Sequence, residues 1–224
     1  KTNYIVSNSN FTKKLAVNLN LNEEKIVVIN PGVEKNISPS KENIRIANEL
    51  FKNSFPKLIT VSRFDKRKNH EKVIMALRNL KQIYPNIIYT CIGYGDEEEN
   101  IKNLTKELEL NEQVMFLKNI SQDLKNALVS KSNIFVMPSI IHKTSVEGFG
   151  IAYVEAAQYG IPSIGGKDGG ASDAIKNNET GIICDGNNLE EIYSSIDLIL
   201  KNSSYLEFGK KAKEYSTKFE WDNI

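Results

Sequence analysis

Four loops in this 224-residue chain gather residue types that can do chemistry, and each follows a short apolar run. The first, Ser62-Arg63-Phe64-Asp65-Lys66-Arg67-Lys68-Asn69-His70, packs four cations into six residues. The guanidinium of Arg63 suits a forked grip on phosphate oxygens, and the ammonium of Lys68 a compact point charge. A solvated charge run is the alternative, and Lys66 and Arg67 read most simply that way.

The second loop, Gly93-Tyr94-Gly95-Asp96, has a Gly-x-Gly after a strand, but Glu98 takes the place of the third glycine of a dinucleotide fingerprint. The acids from Asp96 to Glu99 would also repel a pyrophosphate, so it reads as a tight turn.

The third loop is the most informative. After Pro138-Ser139 and a polar stretch comes Glu147-Gly148-Phe149-Gly150-Ile151-Ala152-Tyr153-Val154-Glu155-Ala156. Two glycines allow close backbone approach, and free amides at a helix N-terminus make an anion site. Ile151, Val154 and Ala157 should form the inward face of that helix. Glu155, in apolar company, should find a hydrogen-bonding ligand or partner. Eight helical residues rise roughly 12 Å, more than the roughly 5 to 9.5 Å between the acids of a glycoside hydrolase. The spacing suits one carboxylate at a sugar ring and another at a ribose, with a diphosphate between. The fourth loop, Gly165-Gly166-Lys167-Asp168-Gly169-Gly170, is so rich in glycine that a phosphate or sugar packed on its backbone explains it better than a plain turn.

The elements that must position these loops alternate. Strands are expected at Leu58 to Val61, Ile87 to Ile92, Val114 to Leu117, Ile134 to Met137, Pro162 to Ile164 and Ile182 to Cys184. Helices are expected from Asn69, at Glu97 to Leu110, Ser121 to Ser130, Gly150 to Tyr159, Leu189 to Leu200 and Tyr205 to Ser216. Nearly all-apolar strands alternating with helices imply an α/β fold, a Rossmann-like doubly wound parallel sheet covered on both faces. Ligands of such sheets bind at the carboxyl ends of the strands, where all four loops lie. Ahead of this region, residues 1–35 read as strand, helix, strand, and 36–56 as a polar connector containing one short helix. The chain opens on Lys1 and enters at once on an apolar run, which suggests a piece of a longer protein.

A net charge of +1 argues against a dedicated nucleic-acid binder. No apolar run reaches the ~18 residues of a membrane span. Cys91 and Cys184, far apart, suggest reduced structural thiols and a cytoplasmic setting rather than a disulfide or zinc framework.

In order along the chain, Ser62-Arg63-Phe64 with Lys68, Pro138-Ser139, Glu147-Gly148-Phe149-Gly150 through Glu155-Ala156, Gly160-Ile161-Pro162, Gly169-Gly170 and Gly181 resemble the family 4 retaining glycosyltransferases of the GT-B fold. The Glu-x7-Glu spacing is that family's signature, and the resemblance runs from about Val6 to Trp221. It implies transfer of a sugar from a UDP- or GDP-linked donor with retained anomeric configuration, with residues 57–224 as the C-terminal, nucleotide-sugar-binding domain. By matched position, Arg63 and Lys68 resemble the diphosphate clamp, and Glu147 with the backbone of Gly148, Phe149, Gly150 and Ile151 the sugar and phosphate contact. Glu155 resembles the ribose acceptor and Ile120 a backbone contact to the base, while Gly169 and Gly170 line the donor. Residues 1–35 would then be the tail of an N-terminal acceptor domain, which would bring the acceptor and a catalytic histidine. No metal or other cofactor is expected, because cations stand where an ion would. The full-length enzyme is expected to be cytoplasmic, with peripheral association at the inner membrane face and a role in polysaccharide or glycolipid synthesis. This stretch alone is expected to be inactive. A GT-B sugar-nucleotide epimerase and a non-catalytic nucleotide-sugar-binding module are the alternatives.

The sequence departs from the family at Ile140-Ile141-His142-Lys143-Thr144-Ser145-Val146, which lengthens the linker before Glu147, and at Lys118, where glycine is common.

Overall fold

Nearly every strand of the main sheet carries apolar side chains on both of its faces, so the sheet must be covered twice. The structure, a computed structural model, describes residues 3–35 and 38–224; Asn36 and Ile37, at the head of the expected connector, lie outside them. Six strands form one wholly parallel sheet, β3 (Lys57–Val61), β4 (Ile88–Ile92), β5 (Val114–Leu117), β6 (Ile134–Met137), β7 (Ser163–Gly166) and β8 (Gly181–Cys184). Their spatial order is β5-β4-β3-β6-β7-β8.

Alternation along a strand sends neighbours to opposite layers. Leu58, Ile134 and Val136 join a core layer with α3 (His70–Ile83), α4 (Glu98–Glu107) and α8 (Leu189–Leu200). Ile59, Phe135 and Met137 face the other layer, with α2 (Lys41–Leu50), α5 (Gln122–Ser130), α6 (Ile151–Gln158) and the short α7 (Ala171–Ala174). α9 (Tyr205–Ser216) packs against α6. The expected doubly wound α/β sheet is present.

α2 falls in the stretch read as connector, yet Ala47 and Phe51 are buried beside Ile59 and Leu128. That helix is part of the six-stranded unit. Among the described residues, no helix is long and apolar enough to cross a membrane.

β1 (Ile5–Ser7) and β2 (Ile26–Val28) pair in parallel as a separate ribbon, with α1 (Asn10–Asn18) between them. Ser9 caps α1 in a reciprocal capping box with Thr12. The chain runs outward from β3 through β4 to β5, and β6 then returns to the other side of β3. Between β3 and β6 the winding reverses, and there the carboxyl ends of two strands open a crevice.

Candidate active site

The two loops flanking that reversal carry the charged residues. After β3, Lys66–Lys68 form a single 3-10 turn, whose residues are spaced about 120° apart. Lys66 is thrown outward to Glu71 and Glu97. Arg67 and Lys68 point inward. Asn69 then takes a left-handed conformation, φ 63°, and its Nδ2 donates to the carbonyls of Pro138 at 2.9 Å and Gly186 at 2.7 Å. One side chain thus pins the loops after β3, β6 and β8 together.

Glu147, in the loop between β6 and α6, is the focus. Its Oε2 accepts from Arg67 Nη1 at 2.8 Å and from Lys68 Nζ. The Glu147 side chain is only 10% exposed, so the two cations answer a carboxylate that would be costly to bury alone. Burial lowers the Lys68 pKa, and the Glu147 charge opposes that fall.

Beside this cluster a cleft of about 310 Å³ is lined by Asn8, Pro31, Lys68, Glu147 and the backbone run from Gly148 to Ala152. It lies at the N-terminus of α6, where the dipole and unpaired amides favour an anion. Gly150 makes the entry with φ 91°, and an added Cβ there would strike the Tyr153 ring. A second cleft of about 430 Å³ continues past Ile151 to Glu155, walled by Gly32 to Lys35 and Trp221.

The structure places several sequence-predicted residues differently. Arg63 does not line the cleft: its side chain is 75% exposed and donates to Asp65 at 3.2 Å. Arg67, which reads from the sequence as a solvated charge, is the guanidinium that reaches Glu147. Ile151 is 43% exposed and faces the clefts instead of the core, which α6 enters through Tyr153, Val154, Ala156 and Ala157. Glu155 is 41% exposed on the open side of the helix and pairs with Lys125 at 3.6 Å. Ile120 is half-buried against the α2–α6 layer.

The glycines also have a packing reason. A Cβ at Gly166, Gly169 or Gly170 would meet the carbonyl oxygens of Ser139, Glu147 and Gly148 at 1.8, 2.8 and 2.0 Å. Gly170 N–H donates to Glu147 O at 2.8 Å. Their close approach is to the neighbouring loop backbone, which they hold in place. Gly93 and Gly95 likewise make room for the carbonyls of Ser62 and Phe64.

Sequence reasoning missed Arg67, Asn69 as a three-loop pin, and Asn8 as a wall of the cleft. The inserted Ile140–Val146 stretch closes on itself, with reciprocal backbone bonds between His142 and Ser145, and Ile140 N–H donates to the Arg67 carbonyl at 2.9 Å.

The family described as "Glycosyl transferases group 1" matches residues 41–219. The GDP-mannose-dependent alpha-(1-6)-phosphatidylinositol monomannoside mannosyltransferase of Mycobacterium tuberculosis is 25% identical over 173 residues, 75% of this chain and 45% of that protein. Among solved structures, a glycosyltransferase from Rickettsia africae superposes with TM-score 0.83 at 26% identity, over 98% of this chain and 60% of that one. Anabaena HepE in complex with UDP and glucose gives TM-score 0.84 at 22% identity over the same shares. The chain spans about half the length of the curated relatives it matches. With a match over most of its length, this chain belongs to the glycosyl transferases group 1 family.

Proposed function

We propose that this chain carries the donor site of a retaining glycosyltransferase that moves a sugar from a UDP- or GDP-linked donor. The observation that carries the reading is the meeting of Lys68 and Glu147 beside the free N-terminus of α6, at the reversal of the sheet. When the bond between the anomeric carbon and the phosphate oxygen breaks, its electron pair leaves with the diphosphate. Fixed donors at the developing negative charge are what lower such a barrier. Lys68 and the amides of Gly148 to Ile151 supply them, and Arg63 joins once its guanidinium leaves Asp65. Glu147 orients sugar hydroxyls and favours the cationic character of the ring. Glu155, at the second cleft, accepts from the ribose, with Ile120 toward the base.

Similar proteins support a nucleotide-sugar donor, with GDP-mannose for the mycobacterial relative and UDP bound in the Anabaena structure. In this reading the acceptor is brought by an N-terminal domain of which residues 1–35 are the tail. The exposure of Val6 and Val27 on a parallel ribbon supports it, since such strands are ordinarily covered on both faces. Peripheral association of the full-length enzyme with the inner membrane face belongs to the same proposal.

Calorimetric titration of the chain with UDP and GDP tests the reading, with and without chelator. Binding of one nucleotide is expected, unchanged by chelator because cations replace a metal. Lys68→Ala and Arg63→Ala should each cost roughly 1.5 to 3 kcal/mol, the range for charge-assisted bonds. No binding of either nucleotide overturns the site, and a strict need for magnesium or manganese overturns the metal-free clamp.

A further inference from the structure

Lys68 faces two competing demands. Its ammonium lines the cleft where the donor diphosphate is placed, yet it is bonded to the same Glu147 oxygen that Arg67 holds. An ammonium that turns to a diphosphate shares its charge and its three donors between the two. Without another cation, Glu147 would then be a buried, poorly compensated carboxylate facing incoming negative charge.

Arg67 is built to stay. It does not line the cleft beside Lys68. Its guanidinium lies between Glu147 at 2.8 Å and Asp65 at 3.8 Å, and its side chain is 15% exposed. Its carbonyl accepts from Ile140 N–H, which ties its backbone to the loop after β6. A guanidinium keeps its proton and presents donors in a rigid fork, whereas an ammonium on a flexible stem rotates freely.

Resting on the donor-site reading above, we propose that Arg67 is a positioning residue: it holds Glu147 so that Lys68 can exchange that carboxylate for the donor diphosphate. Arg67 itself touches neither diphosphate nor sugar. Its effect on donor binding therefore passes through Glu147.

That indirect route gives a test that a structural role or a general attraction between Arg67 and phosphate would not satisfy. Whichever of UDP or GDP binds the wild-type chain is titrated into Arg67→Gln, Glu147→Gln and the double variant, with Arg67→Lys as the conservative variant. In Arg67→Gln, Glu147 keeps Lys68 for itself, and affinity should fall about tenfold, the size of one charge-assisted bond. Arg67→Lys should recover part of that loss. In the Glu147→Gln background there is no carboxylate to hold, so Arg67→Gln should change affinity less than twofold. A loss on adding Arg67→Gln to Glu147→Gln as large as the loss it causes in the wild-type background overturns the proposal while leaving the donor site standing. Equal affinity in wild type and Arg67→Gln overturns it as well. Absence of nucleotide binding in the wild type overturns the donor-site reading and this inference with it. Thermal melting identifies any variant that does not fold, and Arg67→Lys against wild type, each with and without Glu147→Gln, then decides by the same criterion.

Discussion

Burial works against charge at two neighbouring residues, and they answer it differently. Lys68 has Glu147 to oppose the fall in its pKa. His70 has only the weaker opposing pull of Asp65: it sits edge-on to Phe64 with ring centroids 4.9 Å apart, and its Nε2 is 3.4 Å from Ser62 Oγ. Burial, with Lys68 adding to it, lowers the His70 pKa to about 4. The folded state therefore resists protonation that the unfolded chain accepts from about pH 6.5 downward. Between those values the unfolded state binds more protons, so stability should rise with pH from about 4 to 6.5 and be flat in this residue above it. The full swing is on the order of 3 kcal/mol. Urea unfolding at several pH values should show the slope in wild type and a shallower one in His70→Phe, and equal slopes would refute the assignment. At this scale the sequence was only partly legible. Lys68 and Glu147 stand where the motif spacing puts them. The cation that joins Lys68 at Glu147 was hidden, because it depends on a 3-10 turn that aims Arg67 inward. Four cations in a row do not reveal their own directions.

Elements were far more legible than side-chain directions. The runs Val114–Leu117, Ile134–Met137, Leu189–Leu200 and Tyr205–Ser216 fold with the ends the apolar pattern gave them, because burial on both faces of a parallel sheet leaves little choice of period. α2 reads as a short helix within a connector because its sequence is polar around the few residues it buries. The packing role of the glycine-rich loop is illegible for a related reason: the partner that a glycine admits is a second loop, and one sequence does not show which loop comes close. Gly170 tests the packing account. A methyl there would lie 2.0 Å from Gly148 O, at the approach to α6. Gly170→Ala should therefore lower stability by about 2 kcal/mol, as overpacking does, and weaken nucleoside diphosphate binding as well. Gly160→Ala is the control. Its φ of 74° strains any side chain, but its nearest contact is Gly209 O at 3.6 Å, far along the chain from the Gly148 loop. It should lose about 1 kcal/mol of stability and no affinity. Undiminished affinity in Gly170→Ala would show that the loops are not coupled in this way.

The whole molecule is a six-stranded unit with a small ribbon docked across its binding edge, and the docking is polar. Asp173, on α7, accepts from Asn10 N at 2.8 Å, Asn10 Nδ2 at 2.9 Å and Asn30 Nδ2 at 3.3 Å. The carboxylate thus sits at the N-terminus of α1, where a helix dipole favours it. A second tie lies further along, where Val33 N–H donates to Phe219 O at 2.8 Å and Gly32 lies against the Trp221 ring. Next to the first tie lie Asn8 and Pro31, which wall the cleft together with Lys68 and Glu147. The ribbon's contribution to binding should then depend on Asp173, although that residue is not in the cleft. Asp173→Ala removes the acceptor at one end and leaves the other tie intact. Exposed hydrogen bonds of this kind contribute about 1 kcal/mol in sum, so amide exchange from Ile5 to Val28 should accelerate several-fold through local opening. Exchange in β3, β4 and β6 should not change. Nucleotide affinity should fall by less than in Lys68→Ala, because a wall loosens while the charges stay. Hydrogen exchange with mass detection, paired with the same titration, reads both effects. Acceleration spread evenly over the six-stranded sheet would show that the ribbon is integral to the core, and no acceleration anywhere would show that the Val33 clasp alone holds it.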